Sequence, residues 1–441
     1  MTLTPPVTPL TAPLNLVTTR PPWSQTFSSL KIRNYRIFAS ANILAVVALW
    51  MQRVAQDWMV LELSGSVTAV GITVFMQFIP SLLLMPLGGI LADRYSKRLI
   101  LMISQGAAGA LAALLAVLAL TGNLQVWHIY IIAFVLGLVV VADQPARQVF
   151  VNELVGPAQL RNAISLNSSI FQLGGMVGPA VSGVLIMAVG GGWAFAANAA
   201  ACLVTVLSLL LIRTGELVKM TPVKRAKGQL MEGVRYALNK PTIVFPAIMA
   251  AVFAVFGLSL PVLMTAYAND VFDVGAGGYG LLNTLVAVGA LGGALASTRF
   301  ATLRLRGVMS AAGAYGVVLM GAAFAPSMAT FGTVMVVAGF ASLLFLTSAN
   351  QLVQMSTNVS IRGRVMSLYI MVLIGGQAIG GPLMGALAEQ WGVQWATVLA
   401  GGMPALAALA IALVLARRGQ LTLRLDFRSA RHLVFIVPKG S

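Results

Sequence analysis

The chain alternates long apolar runs with short polar breaks along most of its length. Each run has about 20 residues or more, the length of a helix that crosses the hydrocarbon core of a bilayer. Helices are predicted rather than strands, because lipid offers no partner to an unpaired backbone group and barrel strands are short and alternating. Twelve spans are predicted, at 36–61, 67–92, 99–121, 126–146, 163–189, 193–212, 242–268, 279–298, 308–326, 330–350, 365–388 and 393–416.

The composition supports a membrane protein. Hydrophobic residues make up 59% of the 441 residues, charged residues only 9%, and the mean hydropathy is +0.90. A soluble domain has about 25% charged residues, so a chain this poor in charge cannot cover itself with a surface suited to water. The fold class predicted is an all-α membrane protein.

Positive charge is distributed asymmetrically. The net charge is +17, and every Lys and Arg except Arg53 falls in segments that a twelve-span chain places on one side. The positive-inside rule then predicts that both termini are cytoplasmic. The excess charge is therefore assigned to the cytoplasmic leaflet, and no nucleic-acid partner is expected.

Few residues could support a metal or a cofactor. Cys202 is the single cysteine, and His128 and His432 are the only histidines. We therefore expect no disulfide, metal site or cofactor. A membrane enzyme is disfavoured because neither histidine lies at membrane depth beside a nucleophile, and a channel is disfavoured because no segment resembles a selectivity filter.

The polar intervals divide the chain into two halves and three cytoplasmic segments. Within the central loop, QLMEGVRYALNK predicts an amphipathic helix with Leu230, Met231, Val234 and Leu238 on its apolar side. The boundaries are a disordered tail at 1–34, an N-terminal six-helix half at 35–212, a central loop at 213–241, a C-terminal six-helix half at 242–416 and a tail at 417–441.

The two halves contain an internal repeat. A shift of 203 residues aligns equivalent positions of spans 4 and 5 with spans 10 and 11, and six-plus-six repeats of this kind place a substrate site between the halves. The identities are Ala146, Gln148, Arg161, Gly178 and Pro179 with Ala349, Gln351, Arg364, Gly381 and Pro382.

The loop after span 2 reads PLGGILADRYSKRLIL and resembles the signature loop of the major facilitator superfamily. Ser96 stands where that pattern usually has Gly. The resemblance implies an inner gate, which we expect to include Arg147, Arg362 and Arg364 as well. The matching residues are Gly89, Asp93, Arg94, Lys97 and Arg98.

Span 5 reads GGMVGPAVSG and resembles the motif of the antiporter branches of that superfamily, through Gly174, Gly178, Pro179 and Gly183. Further stretches, such as VAQDWMVLELSGSVTAVG, resemble the branch of enterobactin-type siderophore exporters and macrolide efflux proteins. The resemblance implies a major facilitator fold and secondary export of amphipathic drugs, macrolides or siderophores by alternating access. It also implies proton antiport, multidrug resistance and a location in a bacterial inner membrane.

Ionisable residues inside a span are candidates for proton coupling, because burying a charge in the bilayer is expensive. Arg53 and Asp57 lie four residues apart in span 1, so they can pair on one helix face. A purely structural ion pair is the alternative. Asp143, at the inner end of span 4, is a second candidate.

Polar and aromatic residues within the spans are candidates for the substrate cavity. The expected partners are a small molecule, protons and membrane lipids, with the protein acting as a monomer. A lipid or lysolipid flippase of the same fold, without obligatory proton coupling, is the alternative function. The cavity candidates are Asn42, Trp50, Gln52, Gln56, Phe75, Gln77, Phe78, Asn167, Gln172, Asn283, Gln351 and Gln377.

Overall fold

A computed structural model of the protein describes residues 27–218, 229–238, 240–297, 305–358, 361–418, 421–425 and 434–438. Nearly all of these residues are helical. The helices are α1 (Arg33–Ser64), α2 (Val67–Arg94), α3 (Lys97–Leu120), α4 (Val126–Val189), α5 (Gly192–Leu211), α6 (Gln229–Leu238), α7 (Pro241–Phe256), α8 (Leu260–Ala266), α9 (Gly275–Ser297), α10 (Leu305–Ala322), α11 (Met328–Ser356), α12 (Arg362–Trp391) and α13 (Val393–Arg418).

The remaining elements are short. Single 3-10 turns lie at Ser28–Lys31 and Thr214–Glu216, and a π turn lies at Tyr267–Val271. In the C-terminal tail, β1 (Leu421–Leu425) pairs antiparallel with β2 (Val434–Pro438). The helical membrane fold is thus confirmed, with one small hairpin in the tail.

Eleven helices in the described part of the chain are long and apolar enough to cross a membrane. One of them, α4, has 64 residues, which is about 96 Å and three times the thickness of the hydrocarbon core. Gly156 breaks it with φ 68° and ψ 174°, a conformation open to glycine, and Pro157 follows. Residues 147–162, between the predicted spans 126–146 and 163–189, were expected to form a loop. That prediction is wrong, because helix continues on both sides of Gly156.

The predicted span at 242–268 is also interrupted, between α7 and α8. Proline has no amide hydrogen, so Pro261 cannot donate to the carbonyl of Gly257 and the helix opens there. The hydroxyl of Tyr315 on α10 donates to that carbonyl at 3.0 Å instead. A buried polar group left by the break is thus satisfied by a neighbouring helix.

The two ends of the helix bundle are defined by contacts between distant parts of the chain. At one end, Asn34 donates to the carbonyl of Arg213 at 3.1 Å, and Lys97 lies 3.5 Å from Glu153. We call this the basic end, because the Lys and Arg segments of the N-terminal half lie there. The opposite end, where α1 turns into α2 at Gly65, is called the far end.

The linker helix α6 is attached to the basic end of the C-terminal half. The hydroxyl of Tyr236 accepts hydrogen bonds from Lys240 and from the backbone amide of Asn358, and donation by Lys240 lowers the pKa of Tyr236. Leu238 is 68% exposed, so it does not pack on protein. The side chains of Leu230 and Met231 lie outside the described residues.

Candidate functional site

The halves meet most closely where glycines on α2, α4, α9 and α12 face each other. A Cβ on Gly280 would lie 2.6 Å from the carbonyl of Pro179, and a Cβ on Gly385 would lie 2.7 Å from that of Val67. Both contacts are between backbones, so no side chain can move aside to make room. They lie toward the far end, which is therefore tightly closed.

The antiporter-type motif forms two of the contacts of α4. A Cβ on Gly178 would lie 2.5 Å from Cβ of Trp50 on α1, and one on Gly174 would meet Val46. Gly183 instead faces α9, where its Cβ would lie 3.2 Å from Cα of Gly280. The motif thus joins α4 to its own half and to the opposite half.

A carboxylate from the C-terminal half caps α2 of the N-terminal half at the far end. Glu389 accepts hydrogen bonds from the Ser66 hydroxyl at 2.6 Å, the Thr68 amide at 3.0 Å and the Thr68 hydroxyl at 2.6 Å. The first amides of a helix have no partner within the helix, and a carboxylate is favourable beside them. Glu389 therefore ties the two halves together.

Asp57 makes a further hydrogen bond between the halves, separate from those of Glu389. The hydroxyl of Tyr279, on α9, donates to its Oδ2 at 3.0 Å, and the ring of Tyr279 stacks on Trp58 at 6.2 Å. Asp57 lies seven residues before the end of α1, about 10 Å from the far end. The candidate acid for proton coupling thus sits at the junction between the halves.

Arg53 and Asp57 interact electrostatically along α1, as their spacing predicts, but their charged groups are not in close contact. The guanidinium carbon of Arg53 lies 5.1 Å from the ring centre of Trp50, and the ion pairs of the described residues do not include it. An i,i+4 spacing brings two Cβ atoms together, but the rotamers decide the partners. Here Oδ2 of the carboxylate accepts from Tyr279 and the guanidinium lies over Trp50, and the role of the pair in proton coupling stays a prediction.

Asp143 and Arg147 do pair, deep in the N-terminal half. Arg147 Nε lies 2.9 Å from Asp143 Oδ2, and its Nη1 donates to Asn42 at 3.1 Å. Gln105 donates to Asp143 at 3.0 Å. This network joins α1, α3 and α4, so it stabilises one half rather than spanning the interface.

The signature loop also bonds within the N-terminal half. Arg98 donates to the carbonyls of Leu209 and Leu210 at 2.8 and 3.1 Å, and so caps the C-terminus of α5. Ser96 has φ −61° and ψ 121°, an extended conformation that does not require glycine. The remaining members lie nearby at the basic end of α2: Gly89 is half-buried, and Asp93 and Arg94 are exposed.

At the start of α12, Arg362 donates to the carbonyl of Thr357 at 3.5 Å. Arg364, two residues further on, lies in the first turn of the same helix. The predicted inner gate between these arginines and Asp93 remains a prediction.

Three of the cavity candidates are buried. Gln52 is 3% exposed and accepts a hydrogen bond from Asn198 at 2.6 Å, so it packs inside the N-terminal half. Asn42, 7% exposed, is bound to Arg147, and Gln56 is 3% exposed. The half-buried candidates are Trp50, Phe75, Gln77, Phe78, Asn167, Gln172, Asn283, Gln351 and Gln377.

Sequence reasoning missed Tyr279 and Glu389. The local sequence around Tyr279, a glycine-rich turn, does not mark this tyrosine as a candidate site residue, because its role depends on Asp57 of the other half. Glu389 could have been singled out as one of the few acids at the end of a span. Ser66 is a recognisable N-cap residue, but nothing in the sequence joins the two.

Comparisons with known proteins place the chain among transporters. The family model described as transmembrane secretion effector matches residues 24–430. The enterobactin exporter EntS of Salmonella typhimurium is 26% identical over 371 residues, which cover 83% of this chain and 89% of the relative. EntS of Shigella boydii is 26% identical over 379 residues, covering 83% and 88%.

Solved structures share the fold. A bacterial homolog of the human lysosomal transporter Spinster, inward-facing and unoccupied, has a TM-score of 0.69 at 16% identity and covers 87% of this chain and 97% of its own. A POT family transporter in complex with a thioalcohol-conjugated peptide has a TM-score of 0.71 at 12% identity, covering 89% and 99%. These relatives are transporters and not enzymes. The chain belongs to the transmembrane secretion effector family of the major facilitator superfamily.

Proposed function

We propose that the protein is a proton-driven exporter of amphipathic small molecules, of the drug, macrolide or siderophore class, in a bacterial inner membrane. The observation that carries the proposal is the hydrogen bond from Tyr279 to Asp57 at the closed far end. An acid at the junction of two halves changes its surroundings whenever the halves move. That is the property a coupling group needs in alternating access.

The topology proposed has twelve crossings, with the basic end in the cytoplasm. The break at Gly156 lets the two parts of α4 cross separately, one packed on α2 and the other on α1 and α9. Lys and Arg segments at the basic end then face the cytoplasm, as the positive-inside rule requires.

Cysteine labelling tests this topology in a Cys202→Ser background. A membrane-impermeant maleimide added to intact cells should label Asp273→Cys and leave Arg225→Cys unlabelled, although position 225 lies outside the described residues. In everted vesicles the pattern should reverse. Labelling of both positions from one side would contradict the twelve-span topology.

The coupling step proposed follows from the bond at the junction. While the far end is closed, Asp57 is enclosed between the halves and accepts a hydrogen bond from Tyr279, so its proton affinity differs from that in open water. Opening the far end removes that donor and exposes Asp57 to the outer solution, where it can take up a proton. When the far end closes and the basic end opens, Asp57 is exposed to the cytoplasm instead, and the proton is released there down its gradient.

Everted membrane vesicles provide the test of function. Dyes, macrolides and siderophores are added while the proton gradient is followed with a fluorescent pH indicator. An exporter driven by antiport should take up at least one of these classes and dissipate the gradient as it does so. Asp57→Asn should abolish both signals at unchanged expression.

The same experiment separates the alternative function. Movement of a labelled lysolipid across the vesicle membrane without any change in the gradient, unaffected by Asp57→Asn, would instead establish a flippase.

A further inference from the structure

A cavity lies at the far end of the bundle, where five helices begin or end. Its volume is about 460 Å³, within the range of small-molecule sites. Its walls come from both halves, because α9 belongs to the C-terminal half and α1, α3, α4 and α5 to the N-terminal half. The residues that line it include Trp58, Met59, Glu62, Leu120, Met187 and Ala276.

The cavity is open to the surroundings of the protein. Glu62 is exposed, and Met187 is 69% exposed. Trp58 lies one helical turn deeper on α1 and is 8% exposed, and its ring is held by stacking on Tyr279. An apolar group can therefore enter beside Glu62 and lie against the indole.

Glu62 carries the only charge among the residues that line the cavity. Within the described part of the chain, no hydrogen bond or ion pair joins its carboxylate to another residue. Arg53, the nearest basic residue on the same helix, lies nine residues earlier, about 13 Å deeper in the bundle. The carboxylate of Glu62 is thus free to accept a hydrogen bond from a ligand.

The other charges of the far end have the same sign as Glu62. Asp270, Asp273 and Glu389 lie in or beside the turns between helices at this end, and these turns contain no Lys or Arg. A cleft with apolar walls and charge of one sign raises the local concentration of the opposite ion. A cation is therefore attracted to this end of the protein. The turns are 65–66, 121–125, 190–191, 272–274, 323–327 and 392.

Two methionines make the apolar wall adaptable. Met59 packs on the backbone of Gly191, and Met187 reaches across to that of Gly277 in the other half. Methionine is unbranched and polarisable, so it adjusts to ligands of different shape. The cavity therefore suits apolar groups of varied outline rather than one rigid skeleton.

We propose that this cavity binds an organic cation, a protonated amine on an apolar body, with Glu62 as its counter-ion. The ammonium group donates a charge-assisted hydrogen bond to the carboxylate, and the apolar body lies against Trp58, Met59 and Met187. Binding here requires no transport and so goes beyond the proposed function. A substrate that leaves through the far end passes this site, and that further role alone rests on the proposed export.

The test is equilibrium binding to the purified full-length protein with three matched probes: naphthylmethylammonium, naphthylmethanol and naphthoate. They share the aromatic body and differ in charge. The ammonium probe should bind about 5- to 30-fold more tightly than the alcohol, the scale of a charge-assisted hydrogen bond in a partly solvated site. Naphthoate should bind more weakly than the alcohol, because the carboxylates repel.

Three variants separate the parts of the site. Glu62→Gln should weaken the ammonium probe by about 5- to 30-fold and leave the alcohol within about 2-fold, which also shows that the protein is folded. Glu62→Asp keeps the charge and should keep part of the preference for the cation. Met187→Ala should weaken all three probes alike, by about 3- to 10-fold, because it removes part of the apolar wall.

Asp270→Asn is the matched control. It removes a carboxylate from the same end of the protein, but Asp270 does not line the cavity and accepts a hydrogen bond from Asn269 at 2.8 Å. The variant should bind the ammonium probe like the unchanged protein. An equal loss in Asp270→Asn and Glu62→Gln would mean that the charge of the whole surface, and not this cavity, attracts the cation.

A lipid amine is the competing occupant. The ratio of ammonium affinities between the unchanged protein and Glu62→Gln is measured in lipid discs of phosphatidylglycerol and of phosphatidylethanolamine, since this ratio cancels partition of the probe into the lipid. It should be the same in both. A ratio that falls to about one only in phosphatidylethanolamine would overturn the proposal and assign the site to a lipid headgroup.

Failure of this proposal and failure of the proposed export are distinguishable. Equal binding of the ammonium probe and the alcohol, or unchanged ammonium affinity in Glu62→Gln, would refute the cation site whether or not everted vesicles transport. Loss of ammonium binding in Glu62→Gln, in a protein whose vesicles take up nothing, would retain the cation site and refute export.

Discussion

The two ends of the bundle are held by different kinds of contact. At the far end the halves touch each other through backbone packing, as at Gly280 on Pro179, and through hydrogen bonds such as that of Glu389 to Thr68. At the basic end the polar bonds described above, such as that between Lys97 and Glu153, are made within one half. The Lys and Arg residues of the sequence are concentrated at this basic end.

This difference assigns separate roles to the two regions. Bonds within a half keep its helices fixed to one another, which is what the proposed cycle requires if each half is to move as a unit. Contacts between glycine backbones are short-ranged and are lost entirely when the helices separate by a few ångströms. A packed interface of this kind has two distinct states, closed and open, rather than a continuous range of separations.

The largest effect is expected from filling the far-end contact. Gly280→Leu places a side chain against the backbone of α4, so the far end cannot close and transport should be lost almost completely. A cysteine introduced as Gln377→Cys reports the change, because it should become reactive toward a maleimide added from the far end.

Gly106→Leu is the control for that substitution, since nothing lies within 4 Å of a Cβ at Gly106. It should transport normally. A Gly280→Leu protein that still exports at the original rate would show that the glycine contact is not part of the moving interface.

The second prediction concerns the ionisable group at the contact between the halves, the carboxylate of Asp57. Asp57→Asn keeps the shape and the hydrogen-bond acceptor for Tyr279, so binding of substrate should persist. Uphill transport and the accompanying proton movement should be lost, because the amide cannot carry a proton. Substrate counterflow at zero proton gradient is the control and should be retained. Full proton-driven efflux by this variant would move the coupling role elsewhere, with Asp143 as the next candidate.

The third prediction concerns the basic end. Asp93→Asn at the end of α2 should weaken a latch to the start of α12 by about 1–3 kcal/mol, the scale of a charge-assisted bond left unmade. Transport should fall while the amount of protein in the membrane stays the same. Undiminished transport by Asp93→Ala would rule out a role in gating.

The smallest effect is expected at the exposed rim of the far end. Glu389→Gln keeps the size of the side chain but removes the charge that caps α2, and the site is exposed to solvent. The closed state should lose only about 0.5–1 kcal/mol, which is a two- to five-fold rise in labelling at Gln377→Cys from the far end. Equal labelling rates with and without the substitution would mean that this cap does not favour closure.

The sequence by itself determined the class of protein and most of the helices. Apolar runs of bilayer length leave the backbone no alternative to helix, because lipid cannot satisfy an open peptide group. The predicted spans and the observed helices therefore agree within a few residues in most places. The signature loop and the glycine motif were also recognisable, because each is defined by the spacing of a few neighbouring residues.

The positions of two helix breaks depend on single residues, and the pattern of apolar residues does not show their effect. Gly156 breaks a helix within a segment that the polar residues predict to be a loop. Pro261 cannot donate to the carbonyl of Gly257, which accepts a hydrogen bond from Tyr315. Hydropathy is averaged over many residues and does not show such positions. The segment around Gly156 was therefore expected to be a loop, and the segment around Pro261 a continuous helix.

Only the tertiary structure decided the partners. Gly178 and Gly381 are equivalent by the repeat, yet the first packs on Trp50 of its own half and the second on Gly71 of the opposite half. Asp57 interacts with Arg53 on its own helix, as expected, but its hydrogen bond comes from Tyr279, more than two hundred residues away in the chain. Spacing along a helix fixes which residues share a face, but the neighbouring helix fixes which of them meet, since contact depends on how the halves are packed.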